Sequence, residues 1–358
     1  MLRGHVIALD THCAFTISAV LDGHGRLLGQ RRLATAIPEL RELIEGVRRP
    51  RHVVLEEGPL ADWLVRELRP CADTVVACDP RRNAHIAKDG DKDDPIDAHK
   101  LAQLYRGGFI APVHHPDTLE RAVFKQFVGL YHDRVRNVVR HGNRTLAQFR
   151  RHGIFASQAA LLEPARRQAL LGQLPARLLR EGLELLLADF DAGQEHLLKL
   201  RRRLRREAGR YEAIRRFVAV PGVKWIRAAT FFAYVDTPCR FASKQALWRY
   251  MGIGLARRHS GSAAPQVGVP AGVTVCRPLK NMILGAAKSA LGASNPFAAR
   301  YQEWCHAGVS TRNARRNVAR SLAATLWGMY KSGAAYQPAW VGVAHPAAAE
   351  NWTSTVAG

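Results

Sequence analysis

The 358-residue chain is short of negative charge: 30 Asp and Glu stand against 53 Lys and Arg, for a formal net charge of +23. A surplus of that size disfavours cationic partners and favours a polyanion, because each phosphate neutralised by Lys or Arg releases condensed counterions. Long apolar runs are missing too. None approaches the roughly 20 residues that span a bilayer, so no membrane partner is expected. The opening Met1-Leu2-Arg3-Gly4-His5-Val6 lacks the apolar stretch of a signal peptide, which predicts a cytoplasmic protein. Cysteine is sparse. Cys13, Cys71, Cys78, Cys239, Cys276 and Cys305 include no CxxC pair, which argues against a zinc site or a disulfide scaffold and for reduced structural thiols.

What is present is ordinary enough to build a core: 47% hydrophobic and 23% charged residues. The length allows two compact domains with something between them. Val6–Leu9, Phe15–Leu21 and Arg26–Leu33 read as three strands, the last two joined by the turn Asp22-Gly23-His24-Gly25. Helical spacing over 38–47, a buried strand at 52–55, a helix over 60–68 and a strand at 74–78 follow. A basic loop at Arg81 and Arg82 then leads to a helix opened by Asp94-Pro95. Antiparallel strands followed by strands alternating with helices predict a mixed α/β sheet over residues 1–116.

Residues 117–216 read as almost wholly helical. Leu183, Leu186, Phe190, Gly193, Leu197, Leu200 and Leu204 follow a 3-4-3-4 rhythm with a weak slot at Gly193, which predicts a coiled-coil-like helix able to pair with a sister chain. One basic run (Lys199, Arg201, Arg202, Arg203, Arg205, Arg206) lies on that helix, and another (Arg134, Arg136, Arg140, Arg144, Arg150, Arg151) lies earlier. A single run is commonly a solvated face; two on so basic a chain point to nucleic acid, with Arg136, Arg140, Arg144, Arg202 and Arg206 as candidate contacts. From 217 to 332 shorter helices are expected over 243–250, 279–291, 296–306 and 313–331. A Gly- and Pro-rich loop or β-ribbon is expected over 252–274, and a mobile Ala- and Pro-rich tail over 333–358.

Four carboxylates stand out by position. Asp10 ends the first strand, Glu56 ends the fourth, and Asp94 and Asp97 open a helix three residues apart, hence on one face. If the first and fourth strands are neighbours, Asp10 and Glu56 emerge together. Converging carboxylates repel one another unless a hard divalent ion such as Mg²⁺ (or Mn²⁺) sits among them, and such ions serve phosphodiester chemistry. Helix capping alone also accounts for Asp94-Pro95-Ile96-Asp97, but not for Asp10 or Glu56.

These elements resemble the DEDD-type transposases of insertion sequences: Asp10 after an apolar strand, Leu55-Glu56-Glu57-Gly58-Pro59-Leu60 before Trp63-Leu64, and Lys92-Asp93-Asp94-Pro95-Ile96-Asp97-Ala98 before Leu101-Ala102. Val220-Pro221-Gly222-Val223, Phe241-Ala242-Ser243 and Tyr250-Met251-Gly252-Ile253 are similar to the same family's C-terminal transposase domain. The resemblance implies an RNase H-like (RuvC-like) N-terminal domain, a coiled-coil middle and a mostly helical C-terminal domain. It implies Asp10, Glu56, Asp94 and Asp97 as metal ligands and Ser260 as a nucleophile that joins covalently to a cut strand. It also implies donor and target DNA as partners, a structured guide RNA, and a homodimer or homotetramer in which carboxylates and serine meet across subunits. A nucleoid-associated place in a bacterial cytoplasm would follow.

Chemistry alone reads Ser260-Gly261 as a turn unless a base or metal activates the hydroxyl; Arg257 and Arg258 are placed to hold a phosphate, and Ser262 is a near competitor. Two departures from the family pattern stand out. Lys224 occupies the last glycine place of a Pro-Gly-hydrophobic-Gly turn, where a positive φ would strain it, and Val273–Lys280 replaces a basic Gly-containing stretch. Lys224 and Lys280 remain candidate phosphate contacts. Two other readings stand beside the recombinase: a metal-dependent endonuclease or junction resolvase that uses the carboxylates alone, and an architectural nucleic-acid-binding protein.

Overall fold

The structure, a computed structural model, describes residues 3–80, 94–258, 266–268 and 275–341. It divides into two compact units, residues 1–123 and 124–358.

The first unit is built on a six-stranded sheet in the order β3-β2-β1-β4-β5-β6. β1 (His5–Thr11), β2 (Phe15–Leu21) and β3 (Leu27–Ala34) run antiparallel, while β4 (Arg51–Glu56) and β5 (Thr74–Cys78) lie parallel to β1. The two-residue β6 (Pro112–Val113) closes the edge antiparallel to β5. The predicted strands form because their apolar residues alternate between two covered faces. On one face Ile7, Leu9, Val53 and Leu55 pack against Leu40 and Ile44 of α1 (Ile37–Glu45) and Leu64, Val65 and Leu68 of α2 (Ala61–Leu68). On the other, Val6, Ala8, Leu21, Val54 and Cys78 meet Leu101 and Ala102 of α3 (Asp94–Arg106). Each such side chain contributes on the order of 2 kcal/mol when fully buried. The outer strand β3 is exposed along most of its length and carries Arg31 and Arg32, charges that discourage further strand pairing.

The β2–β3 turn follows from its sequence. Asp22 Oδ1 accepts hydrogen bonds from the amides of His24 (2.8 Å) and Arg26 (2.9 Å), and Gly25 takes φ +88°, which a side chain would strain. Arg51 is buried without a carboxylate. Its guanidinium instead donates to the carbonyls of Cys71, Glu45 and Val47, tying the end of α1 to the segment after α2.

The second unit opens with α4 (Leu119–Arg150), most of which belongs to it. α5 (Gln158–Leu162), α6 (Pro164–Gly172) and the 32-residue α7 (Arg177–Ala208) follow. The rhythm read from the sequence is only partly the buried stripe: Leu183, Phe190, Gly193 and Leu204 are buried, Leu187 replaces Leu186, and Leu186, Leu197 and Leu200 are half-buried. The stripe packs within the chain, against α4. A Cβ on Gly193 would stand 3.1 Å from Val138, and one on Gly142 would stand 3.1 Å from Phe190. Each helix therefore leaves a glycine where the other inserts a side chain, so the weak slot at Gly193 is the seat of Val138. α6 is clipped to α7 by Arg167, which reaches both carboxylate oxygens of Asp191 (2.6 and 2.8 Å) and the Leu161 carbonyl.

The C-terminal helices are α8 (Glu212–Phe217), α9 (Trp225–Val235), α10 (Lys244–Tyr250), α11 (Arg277–Ala290), α12 (Pro296–His306) and α13 (Thr311–Ser332). They share one core, with Phe217 edge-on to both Phe231 and Tyr330. The expected ribbon is present as β7 (Ala256–Arg258) paired antiparallel with β8 (Gln266–Gly268). Tyr336 and Trp340 pack on the C-terminal core, Tyr336 stacked on Phe297 at 6.4 Å, because aromatic area there is worth burying; residues 342–358 lie outside the described residues.

Candidate active site on the sheet

β1 and β4 are parallel neighbours, and their register pairs Leu9 with Leu55. The next residues, Asp10 and Glu56, therefore stand side by side at the ends of the two central strands. Side chains alternate along a strand, so both share the face of Val6, Ala8 and Val54, the face that α3 covers. The helix is oriented by its contacts. Ala98 packs on Ile17 and Ala19, and Ile17 is the cross-strand partner of Asp10, while Leu101 and Ala102 lie further down the sheet. The first turn of α3, with Asp94 and Asp97, thus belongs to the Asp10 end. Asp97 is exposed, whereas the side chain of Asp94 lies outside those described.

A hard divalent ion suits this donor set. Asp10 and Glu56 offer only oxygen ligands, on one face, with no apolar residue between their strands to separate them. Among the described residues, no group of three or more His, Cys, Asp or Glu closes around a single point.

Two histidines that sequence reasoning missed flank the pair. His12 Nε2 lies 3.3 Å from Asp10 Oδ2, and its ring stacks on Phe15 (centroids 4.6 Å apart), with Arg32 4.0 Å over the same Phe15 ring. The tight β1–β2 turn creates this cluster, with His12 N donating to the Phe15 carbonyl. His115 is buried, and both ring nitrogens face carboxylates: Nε2 lies 2.8 Å from Glu57 Oε2, and Nδ1 lies 3.2 Å from Asp62 Oδ1. Asp62 also accepts from Arg66 at 3.0 Å. Burial alone would raise the Asp62 pKa, but the Arg66 and His115 hydrogen bonds outweigh it and hold the carboxyl below its ordinary range. His115 thereby fixes both ends of the turn between β4 and α2, the turn that begins at Glu56. Nothing local in the sequence signals a contact across more than fifty residues.

Residues 7–153 match a family model described as a transposase, the DEDD type of IS110 insertion sequences. Residues 7–153 carry a DEDD-type transposase domain. The match spans the sheet with all four acidic positions and ends just after α4, and a DNA partner follows from it. No curated protein matches the chain. Among the described residues, no helix is long and apolar enough to cross a membrane.

The basic candidates divide by their surroundings. Arg136, Arg140, Arg144, Arg202 and Arg206 are exposed, and several neighbouring bases are matched along their own helix. Arg136 meets Asp133 at 3.0 Å, Lys199 meets Glu195 at 2.5 Å, and Arg203 and Arg210 meet Glu207 at 2.9 and 2.8 Å. Lys224 is exposed at the start of α9 with φ −101°, in extended backbone, so the strain expected there does not arise. The positive φ falls on Gly222 (+78°), where a Cβ would stand 2.3 Å from the Ala286 carbonyl oxygen. Lys280 is half-buried on α11. Arg81, Arg82, Ser260 and Ser262 lie outside the described residues, as do the side chains of Arg257 and Arg258.

The base of the serine-bearing segment is described. Cys276 N donates to the Tyr250 carbonyl at 2.9 Å, and Arg240 lies 4.4 Å over the Tyr250 ring. Burial, with the neighbouring Cys276 adding, pushes the Tyr250 hydroxyl up to about 12. None of the six cysteines forms a disulfide.

Proposed function

We propose that this transposase cuts and rejoins DNA through a covalent phosphoserine intermediate, with Asp10, Glu56, Asp94 and Asp97 as ligands of a divalent ion and Ser260 as nucleophile. The observation that carries the reading is the side-by-side placement of Asp10 and Glu56 on the face that α3 covers, inside the matched domain. Mg²⁺ or Mn²⁺, when bound, supplies Lewis-acid polarisation of the scissile phosphate. The chain's own groups do the rest. Arg257 and Arg258 neutralise phosphate oxygens. Ser260 Oγ forms a bond to phosphorus and gives up its proton to a base, and the sugar oxygen leaves with the electrons of the broken P–O bond and takes a proton. Attack by a hydroxyl of another strand reverses these steps, restores Ser260 and needs no external energy.

The resemblance in residues 220–262 supports the serine assignment, and the exposed bases of α4 and α7 suit RNA as well as DNA backbone. A structured guide RNA and a homodimer or homotetramer that brings serine and carboxylates together belong to the same proposal. A metal-dependent endonuclease using the carboxylates alone is the second reading, favoured by all four acidic positions lying within the matched residues 7–153.

The test is a denaturing gel for protein joined to labelled cognate DNA, with Mg²⁺ and RNA co-purified from the native locus. An adduct lost in Ser260→Ala and in Asp10→Ala, and kept in Ser262→Ala, is the expected result. Cleavage with no adduct, persisting in Ser260→Ala, would replace the proposal with the endonuclease.

A further inference from the structure

Charge is distributed unevenly in this chain. Residues 217–341 contain sixteen Lys and Arg but only two acids, Asp236 and Glu303. Both acids are committed: Asp236 is buried, and Glu303 pairs with Arg300 at 2.7 Å. α13 is the extreme case. Its 22 residues include Arg312, Arg315, Arg316, Arg320 and Lys331 and no carboxylate. Four of these cations crowd its first half, and Arg312 lies in the first turn, where the helix dipole is positive and disfavours it. Arg312, Arg316 and Arg320 are spaced by four, so they stack on one face about one turn apart. Among the described residues, Arg312, Arg315 and Arg316 meet no carboxylate, in contrast to the bases around Glu207 on α7. Such an arrangement destabilises the isolated helix, and a polyanion would relieve it.

The file also has a direction. Arg312 and Arg315 are exposed, Arg316 is half-buried and Arg320 is buried. Arg320 Nε donates to the Ile253 carbonyl at 2.7 Å, Nη1 reaches Asn317 Oδ1 at 2.7 Å, and Trp248 Nε1 donates to the Arg320 carbonyl at 3.1 Å. Ile253 lies three residues before β7, so the inner end of the file is anchored at the root of the ribbon that leads to Ser260. Burial, with the Arg316 charge adding, lowers the Arg320 pKa, a cost that an added anion would offset.

We propose that Arg312, Arg315 and Arg316 of α13 form a track for the phosphate backbone of the DNA, guiding the duplex toward the root of the β7–β8 ribbon. The inference rests on the DNA-handling role of this chain and not on the serine chemistry. Its basis is charge complementarity: cations in a file, no local counterions, and a buried anchor that fixes where the file leads.

Duplex DNA binding by the full chain, followed by fluorescence anisotropy over a KCl series, tests it. Replacing all three with Gln is expected to weaken binding about tenfold or more. The slope of log K against log salt should become shallower by roughly 2 to 3, at about 0.9 per lost phosphate contact. The triple Lys variant should keep the wild-type slope. Gln at Arg41, Arg49 and Arg166, which are paired with Glu67, Asp73 and Glu163, should shift the slope by less than about 1. An α13 Gln variant with the wild-type slope, or a control that moves as much, overturns the track. Loss confined to an RNA duplex of the same length also overturns it. A wild-type chain whose DNA binding is insensitive to salt would instead count against the DNA-handling role itself.

Discussion

The sheet unit and the C-terminal helices treat charge in opposite ways. In the sheet unit Arg41, Arg49, Arg66 and Arg69 each meet a carboxylate, on Glu67, Asp73, Asp62 and Asp117. Asp10 and Glu56 stand at the ends of β1 and β4, and Asp94 and Asp97 at the start of α3. Residues 217–341 hold only two acids, Asp236 and Glu303, against sixteen bases, and their helices are stabilised by packing around Phe217, Phe231 and Tyr330. Where charges of both signs occur they hold the fold together; where one sign stands alone it is available to something outside the chain. The proposed chemistry uses both arrangements, an anionic cluster for a cation and a cationic surface for the substrate.

The largest expected effect breaks the anionic side of this comparison. Glu56→Gln or Asp10→Asn should reduce strand cutting by at least about 100-fold, since even residues that merely support metal ligands are worth about 10- to 100-fold. The same variants should not lower the melting temperature in chelator, because neutralising one of two adjacent carboxylates removes repulsion. A lowered melting temperature in chelator would mean these acids are structural.

Next comes packing between the two long helices. Phe190 is 1% exposed, and Phe190→Ala should cost about 3–5 kcal/mol in urea unfolding, while Leu185→Ala, at 73% exposure, should change stability by less than about 0.5 kcal/mol. Equal effects would contradict the pairing of α7 with α4.

A smaller effect is expected at His115. His115→Ala should weaken Mn²⁺ binding about tenfold, read by titration calorimetry, by loosening the turn that presents Glu56. Unchanged Mn²⁺ affinity alongside a lowered melting temperature would make the His115 bridge purely structural.

The smallest effect is a pH dependence. The folded-state pKa of Asp62 is depressed, so its contribution is present above the ordinary Asp value and lost as pH falls below about 3.9 through the lowered value. The acid limb of the stability curve should therefore be shallower in Asp62→Asn. An identical limb would show that Arg66 and His115 do not favour the ionised form.

Strands and most helices could be read from the sequence because burial on alternating faces leaves a local period. Asp10 and Glu56 were legible for a related reason: each follows an apolar strand directly, and neighbouring parallel strands bring such ends together. The helix stripe was read one place out at Leu186, since Leu186 and Leu187 are both apolar and only the position of the partner helix chooses between them. Gly193 looked like a defect because its partner, Val138, lies 55 residues away. His115 was invisible for the same reason, joining residues 53 and 58 positions apart. Lys224 was misjudged because the turn's left-handed residue is Gly222, a choice set by the close approach of α11. The arginines of α13 drew no notice as a run because they are spread over nine residues; their isolation from acids emerges only when the ion pairs elsewhere are known.

The most direct test of the account is a strand-joining assay. Labelled donor DNA would be incubated with target duplex, Mg²⁺ and locus RNA, and the junctions sequenced for wild type, Glu56→Gln and Ser260→Ala. The account predicts joined product from wild type alone, with neither variant able to form it. Wild-type protein that cuts without joining, or joining that survives Ser260→Ala, would contradict it.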